Sequence, residues 1–197
     1  MISDVLKPAV TRIISPVARF FLRIGLTPNA VTAIGAFCVL CSALYFFPRG
    51  DFFVGTLVIS FFMLSDLFAG AMARISSQGA SKWGGFLDST VDRVADSSIL
   101  FAVSIYLINE NDSLSIVYLV AIVTGMLIPY IRAKAESMSI ECSGGIAERT
   151  ERAIILLVGT GLHGLGLNYS LAVSAWVLAI LGLITTCQRL LIVKRAI

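Results

Sequence analysis

The chain has 197 residues, of which 57% are hydrophobic and 14% charged, with a mean hydropathy of +0.91 and a formal net charge of +3. Soluble domains are about 25% charged, so this composition excludes one and points to an integral membrane protein. A bilayer core of about 30 Å takes about 20 helical residues per crossing, so the chain has room for about six crossings and little else.

Residues 1–25 form a first segment. Its apolar residues Ile2, Val5, Leu6, Val10, Ile13, Val17, Phe20 and Phe21 recur at helical spacing, with Arg12, Arg19 and Arg23 on the other face. This pattern predicts an amphipathic helix lying on the cytoplasmic leaflet. Pro8, Pro16 and the basic residues interrupt the run, so it is not a secretory signal.

Residues 26–197 read as one domain of six transmembrane helices, at about 29–47, 53–74, 84–108, 114–136, 147–167 and 170–193. Pro48, Gly50, Asn109, Asn111, Gly144 and Gly145 punctuate the connections. The runs are apolar on most faces and too long for strands, so the fold class is an all-α membrane bundle. Thr27-Pro28 has the form of a helix start. Cys38 and Cys41 sit mid-span without a second pair and read as apolar filler; His163, in GTGLHGLGLN, reads as part of a turn and not as a ligand. Of the 15 basic residues, only Arg49 lies on the side opposite both termini, so both termini are expected to face the cytoplasm across the plasma membrane. Nothing beyond loop charge favours nucleic-acid binding.

The charges inside the spans carry the chemistry, since an aspartate at mid-depth costs roughly 2.5–3.5 kcal/mol on insertion scales. Asp66 interrupts an apolar run, and in GGFLDSTVDRVAD the residues Asp88, Asp92 and Asp96 stand four apart on one helix face. Neighbouring carboxylates on that face, about 6 Å apart, repel by roughly 3 kcal/mol at an effective dielectric of about 20. Protonation, arginines or a hard divalent cation would relieve this; Arg93 points away from the Asp88 to Asp92 face, and a cation is the favoured answer. Gly70 follows the first acid, Gly84 and Gly85 precede the second, and Arg74 lies two turns after Asp66 on the same face. Acid, glycine and arginine on one surface point to a metal-bridged phosphate.

Asp66-x-x-Ala69-Gly70-x-x-Ala73-Arg74, followed by Gly84-x-x-x-Asp88-x-x-x-Asp92, resembles the signature of the CDP-alcohol phosphotransferases (phosphatidyltransferases), D-x-x-D-G-x-x-A-R…G-x-x-x-D-x-x-x-D. The resemblance implies a surface helix, six spans, cytoplasmic termini and active site, and a homodimer. It implies two magnesium or manganese ions bridged by Asp66 and Asp88, with Asp92 holding one ion and acting as general base. Gly70 and Arg74 would meet the CDP group. By the same resemblance Asn29 and Thr32 are cytidine contacts, and Ser81, before Gly84, is a donor to the diphosphate. Asp96 falls outside the pattern and reads as a polar contact within the bundle.

The lipid-linked donor would be CDP-diacylglycerol. For the acceptor, Arg132, Lys134, Arg149, Arg152 and Arg189 cluster at the cytoplasmic ends of spans four to six, which suits an alcohol that itself carries phosphate. Lys194 and Arg195 read as topology alone. Tyr130-Ile-Arg-Ala-Lys-Ala-Glu136, Gly-Gly-Ile-Ala-Glu-Arg-Thr-Glu-Arg152 and Cys187-Gln-Arg189 look most like the actinobacterial phosphatidylinositol phosphate synthase branch, whose acceptor is inositol 1-phosphate. The alternative within the family is phosphatidylglycerophosphate synthase, using glycerol 3-phosphate. A small cation transporter would explain the buried acids but not Arg74 or Gly84.

The sequence departs from the pattern once. Ala69 stands where a metal-ligating aspartate is expected, and alanine cannot coordinate. Whether the chain is a divergent member or altered at this position, the expectation is a folded protein that binds CDP-lipid and turns over slowly.

Overall fold

The computed structural model describes residues 14–76, 81–142 and 144–197. Every element among them is helical: α1 (14–23), α2 (Pro28–Phe46) with a 3-10 turn Phe47–Arg49, α3 (Phe52–Met63), α4 (Ser65–Ile75), α5 (Lys82–Asn109), α6 (Leu114–Ser137), α7 (Arg149–Gly164) and α8 (Ser170–Ala196). The part of the expected amphipathic helix that falls on residues 1–13 lies outside the described residues. Among the described residues, four helical stretches are long and apolar enough to cross a membrane: Pro28–Arg49, Phe52–Ile75 (α3 and α4 together), Leu114–Ser137 and Ser170–Ala196. The other two expected spans are helical but differ in kind. The stretch of α5 from Lys82 to Asp96 carries Lys82, Asp88, Asp92, Arg93 and Asp96, and α7 has 16 residues.

The chain divides into two compact units, one of the described residues up to Cys41 with Val58–Ala95, the other of Ser42–Leu57 with Asp96–Ile197. In the first, Thr27 caps α2 by accepting the Ala30 N–H at 3.2 Å, with Pro28 at the first helical position, as the sequence predicts. The second expected span, read as continuous over 53–74, breaks at Leu64. Its N–H donates to the Phe61 carbonyl at 3.2 Å, a tightened turn that ends α3 before α4 begins. The break places Asp66 in the first turn of a new helix and Arg74 in its last, each at the end whose dipole favours its charge. Ile14 and Ala18 of α1 pack with Val31, Ala69, Ala71 and Met72 into a small apolar core, with Phe21 edge-on to Phe68 at 6.0 Å. Arg19, Arg23, Phe20 and Ile24 are exposed.

In the second unit, hydroxyls buried between helices pair with one another, as lipid-embedded helices require. Thr56 and Thr160 meet at 2.9 Å, Tyr118 and Ser174 at 2.9 Å, and Ser170 donates to the Gly159 carbonyl at 2.8 Å. The region around His163 corrects the expected turn: α7 runs through it to Gly164, and the imidazole packs on Phe52 at 4.7 Å and Tyr106 at 6.1 Å. The glycines there serve close packing. A Cβ on Gly164 would stand 2.2 Å from the Phe53 backbone nitrogen, which no rotamer change relieves. Gly164→Ala is therefore expected to cost about 1–3 kcal/mol, read as a lower melting temperature in detergent. Gly85→Ala, with nothing within 4 Å, is the control and should be neutral or gain up to about 1 kcal/mol.

Candidate active site

Asp66 from α4 and Asp88 and Asp92 from α5 come together, each offering a carboxylate oxygen within 4.8 Å of the others. Asp66 and Asp92 are half-buried and Asp88 is exposed. Sequence spacing puts Asp88 and Asp92 on one face; only the packing of α4 against α5 adds Asp66. Two oxygens on opposite sides of a divalent cation, each about 2.1–2.6 Å from it, stand about 4–5 Å apart, so this set fits such an ion. Arg93 turns away, as expected, and donates to the Ser89 carbonyl on its own helix.

Ala69 is not in the cluster's donor set. Its methyl group is 4% exposed and belongs to the apolar core that α1 closes. The position that the motif reserves for a ligand is filled here by hydrocarbon packing.

Gly70 and Arg74 lie together, since a Cβ on Gly70 would stand 3.6 Å from Arg74 Nη1. The starts of α2 and α5 also meet. A Cβ on Gly84 would fall 2.9 Å from Asn29 Oδ1 and 3.1 Å from Ser81 Oγ, so only glycine leaves this corner open. Ser81 accepts the Gly84 N–H at 2.9 Å and caps α5, and its own hydroxyl hydrogen remains a donor. Thr32 is buried one turn beyond Asn29.

Four arginines of the second unit fall into two pairs by the partners they meet. Arg132 pairs with Glu136 at 2.8 Å on the surface, and Arg149 pairs with Asp96 at 3.3 Å, so carboxylates offset both charges. Asp96 thus makes the structural contact expected of it. Arg152 and Arg189 are held instead by neutral carbonyls. Arg152 Nη1 donates to Ala147 at 2.9 Å; Arg189, 5% exposed, donates from Nε to Gly144 at 3.0 Å and from Nη1 to Ile128 at 2.7 Å. A guanidinium has five N–H donors, and carbonyl contacts fix its place without cancelling its charge. Arg152 stands within electrostatic reach of Arg149 and Arg189, with Asp96 a compensating acid. Lys134 is exposed.

Thr185 is a residue that sequence reasoning passed over. It accepts the Ala147 N–H at 3.2 Å and packs against Gly145, whose φ of +127° suits glycine. With Arg189 it ties the α6–α7 connection to α8. A Thr-Thr pair in an apolar run signals none of this.

A profile of the CDP-alcohol phosphatidyltransferase family matches residues 25–190. The chain belongs to this family. The phosphatidylinositol phosphate synthase of Streptomyces avermitilis is 37% identical over 204 residues, covering 99% of this chain and 83% of that protein. The synthase of the same name from Mycobacterium tuberculosis is 38% identical over 191 residues, covering 93% and 87%. A crystal structure of the Mycobacterium tuberculosis enzyme with CDP-DAG bound superposes with a TM-score of 0.89 at 39% identity, covering 92% of this chain and 94% of that one. A second, in complex with manganese and citrate, gives 0.87 at 38% identity, covering 92% and 88%. Of the residues that carry the resemblance, the structure brings Asp66, Asp88 and Asp92 together and sets Gly70 beside Arg74.

Proposed function

We propose that the chain transfers the phosphatidyl group of CDP-diacylglycerol to inositol 1-phosphate, giving phosphatidylinositol phosphate and CMP. The observation that carries this reading is the three-carboxylate cluster on the family signature. The names of the relatives and the CDP-DAG of the neighbouring structure supply the substrates.

Asp66, Asp88 and Asp92 hold magnesium or manganese, and when bound these cations draw off charge from the diphosphate and the departing CMP. Asn29 and Thr32 receive the cytidine, and Gly70, Arg74, Ser81 and Gly84 the diphosphate. Asp92 takes the proton of the acceptor hydroxyl as its oxygen bonds to the lipid-bearing phosphorus. The bond from that phosphorus to the CMP oxygen breaks, so one phosphate ester replaces one phosphoanhydride. Arg132, Lys134, Arg149, Arg152 and Arg189 receive the acceptor's phosphate. Arg152 and Arg189 lead because backbone carbonyls hold them in place.

In this reading the chain has six spans, with α5 and α7 joining the four apolar helices. Residues 1–25 lie on the cytoplasmic leaflet of the plasma membrane, termini and active site face the cytoplasm, and two copies form a homodimer. The basic residues concentrated on one side support that orientation. Ala69 leaves the metal site one ligand short, and turnover is correspondingly slow.

CMP release in detergent with manganese, measured against each acceptor in turn, tests the assignment. Inositol 1-phosphate should be the preferred acceptor, with Arg152→Ala raising its KM more than it lowers kcat. Activity with glycerol 3-phosphate alone would make the chain a phosphatidylglycerophosphate synthase instead.

A further inference from the structure

The C-terminal end of α8 bears a groove that the reaction does not use. It has a volume of about 410 Å³ and is lined by Gln188, Leu191, Ile192 and Arg195 on one side and by Gly145 and Ile146 on the other. The four α8 residues stand at i, i+3, i+4 and i+7, forming one stripe of two helical turns, about 10 Å long. The stripe is polar at both ends and apolar between. Arg189, one residue on from Gln188, points elsewhere, to the carbonyls of Gly144 and Ile128.

Three features define what would fill it. The groove is lined by no acidic side chain; Arg195 lies in the last turn beside Lys194, and among the described residues no carboxylate pairs with it. Leu191 and Ile146 are more than half exposed and give the groove an apolar wall open to lipid. Gln188 Oε1 is buried with no hydrogen-bond partner. The amide end is interchangeable by a half-turn, so the same side chain can offer its NH₂ group in that place.

We infer that this groove binds an anionic glycerophospholipid of the bilayer, with its phosphate on Arg195, its glycerol backbone along Leu191 and Ile192, and an ester carbonyl on the Gln188 amide. The order matches the depth profile of a membrane surface. α8 is long and apolar enough to span, so its C-terminal turn lies at an interface and Gln188 lies two turns nearer the hydrocarbon. Basic pockets at the ends of spanning helices recognise acidic head groups in this way. A zwitterionic lipid would bring a second cation toward Lys194 and Arg195, and is disfavoured.

Native mass spectrometry of the full chain, released from detergent containing phosphatidylglycerol or phosphatidylcholine, reads the retained lipid directly. The unsubstituted chain should retain phosphatidylglycerol in preference to phosphatidylcholine. Arg195→Ala should lower that retention about fivefold, the worth of one basic side chain at an anionic surface. Gln188→Leu, which keeps the volume and removes the amide, should lower it independently. Arg195 is exposed in the last helical turn, so its replacement leaves the fold intact. Equal retention of the two lipids, or retention unchanged in both variants, would overturn the inference. So would displacement of the lipid by inorganic phosphate alone, which would mark a site for soluble anions.

Discussion

Ala69→Asp is expected to raise CMP release by about 100-fold or more, since loss of an outer-shell partner of a metal ligand already costs about 10–100-fold and a ligand itself contributes no less. The structure adds a second, opposite effect. Position 69 is 4% exposed and packed with Ile14, Ala18 and Met72, so an uncoordinated carboxylate there is desolvated and one helical turn from Asp66. Breaking a buried ion's pairing costs about 3–5 kcal/mol, and without metal the substituted chain should melt earlier than the parent by an amount of that order. Manganese should recover the loss, and should raise the melting temperature of Ala69→Asp far more than that of the parent. Paired measurements of CMP release and of melting with and without manganese check both effects. An unchanged rate, together with no added metal dependence of melting, would show that position 69 has no part in a metal site.

Asp92→Asn is expected to do the reverse. In the Ala69→Asp background, where turnover is readily measured, it should reduce CMP release by about 10²–10⁴-fold, the range for removing a general base. The fold should survive, because asparagine is isosteric and removes one of three carboxylates whose oxygens lie within 4.8 Å. Each such pair, if both are charged, repels by roughly 3.5 kcal/mol at an effective dielectric near 20, so the metal-free protein should melt at the same temperature or higher. Its stabilisation by manganese should shrink. Asp96→Asn, one turn on, is the discriminating control: it breaks the pair with Arg149 and should act on the acceptor's KM while leaving metal stabilisation unchanged. Full activity in Asp92→Asn would remove that residue from the proposed mechanism.

The catalytic signature was legible in the sequence because its parts are local. Asp88 and Asp92 share a face by helical period alone, and Thr27-Pro28 announces the start of α2 through chemistry confined to four residues. The break at Leu64 was not legible, since the run around it is uniformly apolar and helix-compatible. Nor was the continuation of α7 through His163. Its glycines read as turn residues, yet they are there to admit Phe53 and Thr56, which lie more than a hundred residues earlier in the chain. The long-range partners of Arg149 and Arg189 were not legible either, since Asp96, Ile128 and Gly144 lie more than forty residues away along the chain.

By itself, the sequence determined what depends on composition and short spacing: an apolar helical chain, the family, the carboxylates on α5 and the missing ligand at position 69. Tertiary structure alone decided which groups meet. It brought Asp66 to Asp88 and Asp92, closed an apolar core over Ala69, set Arg189 on the carbonyls of Gly144 and Ile128, and brought Arg149 to Asp96. The physical reason is range. Helical periodicity and capping act over a few residues and are written locally, whereas the charge left on a guanidinium depends on groups brought beside it from distant parts of the chain.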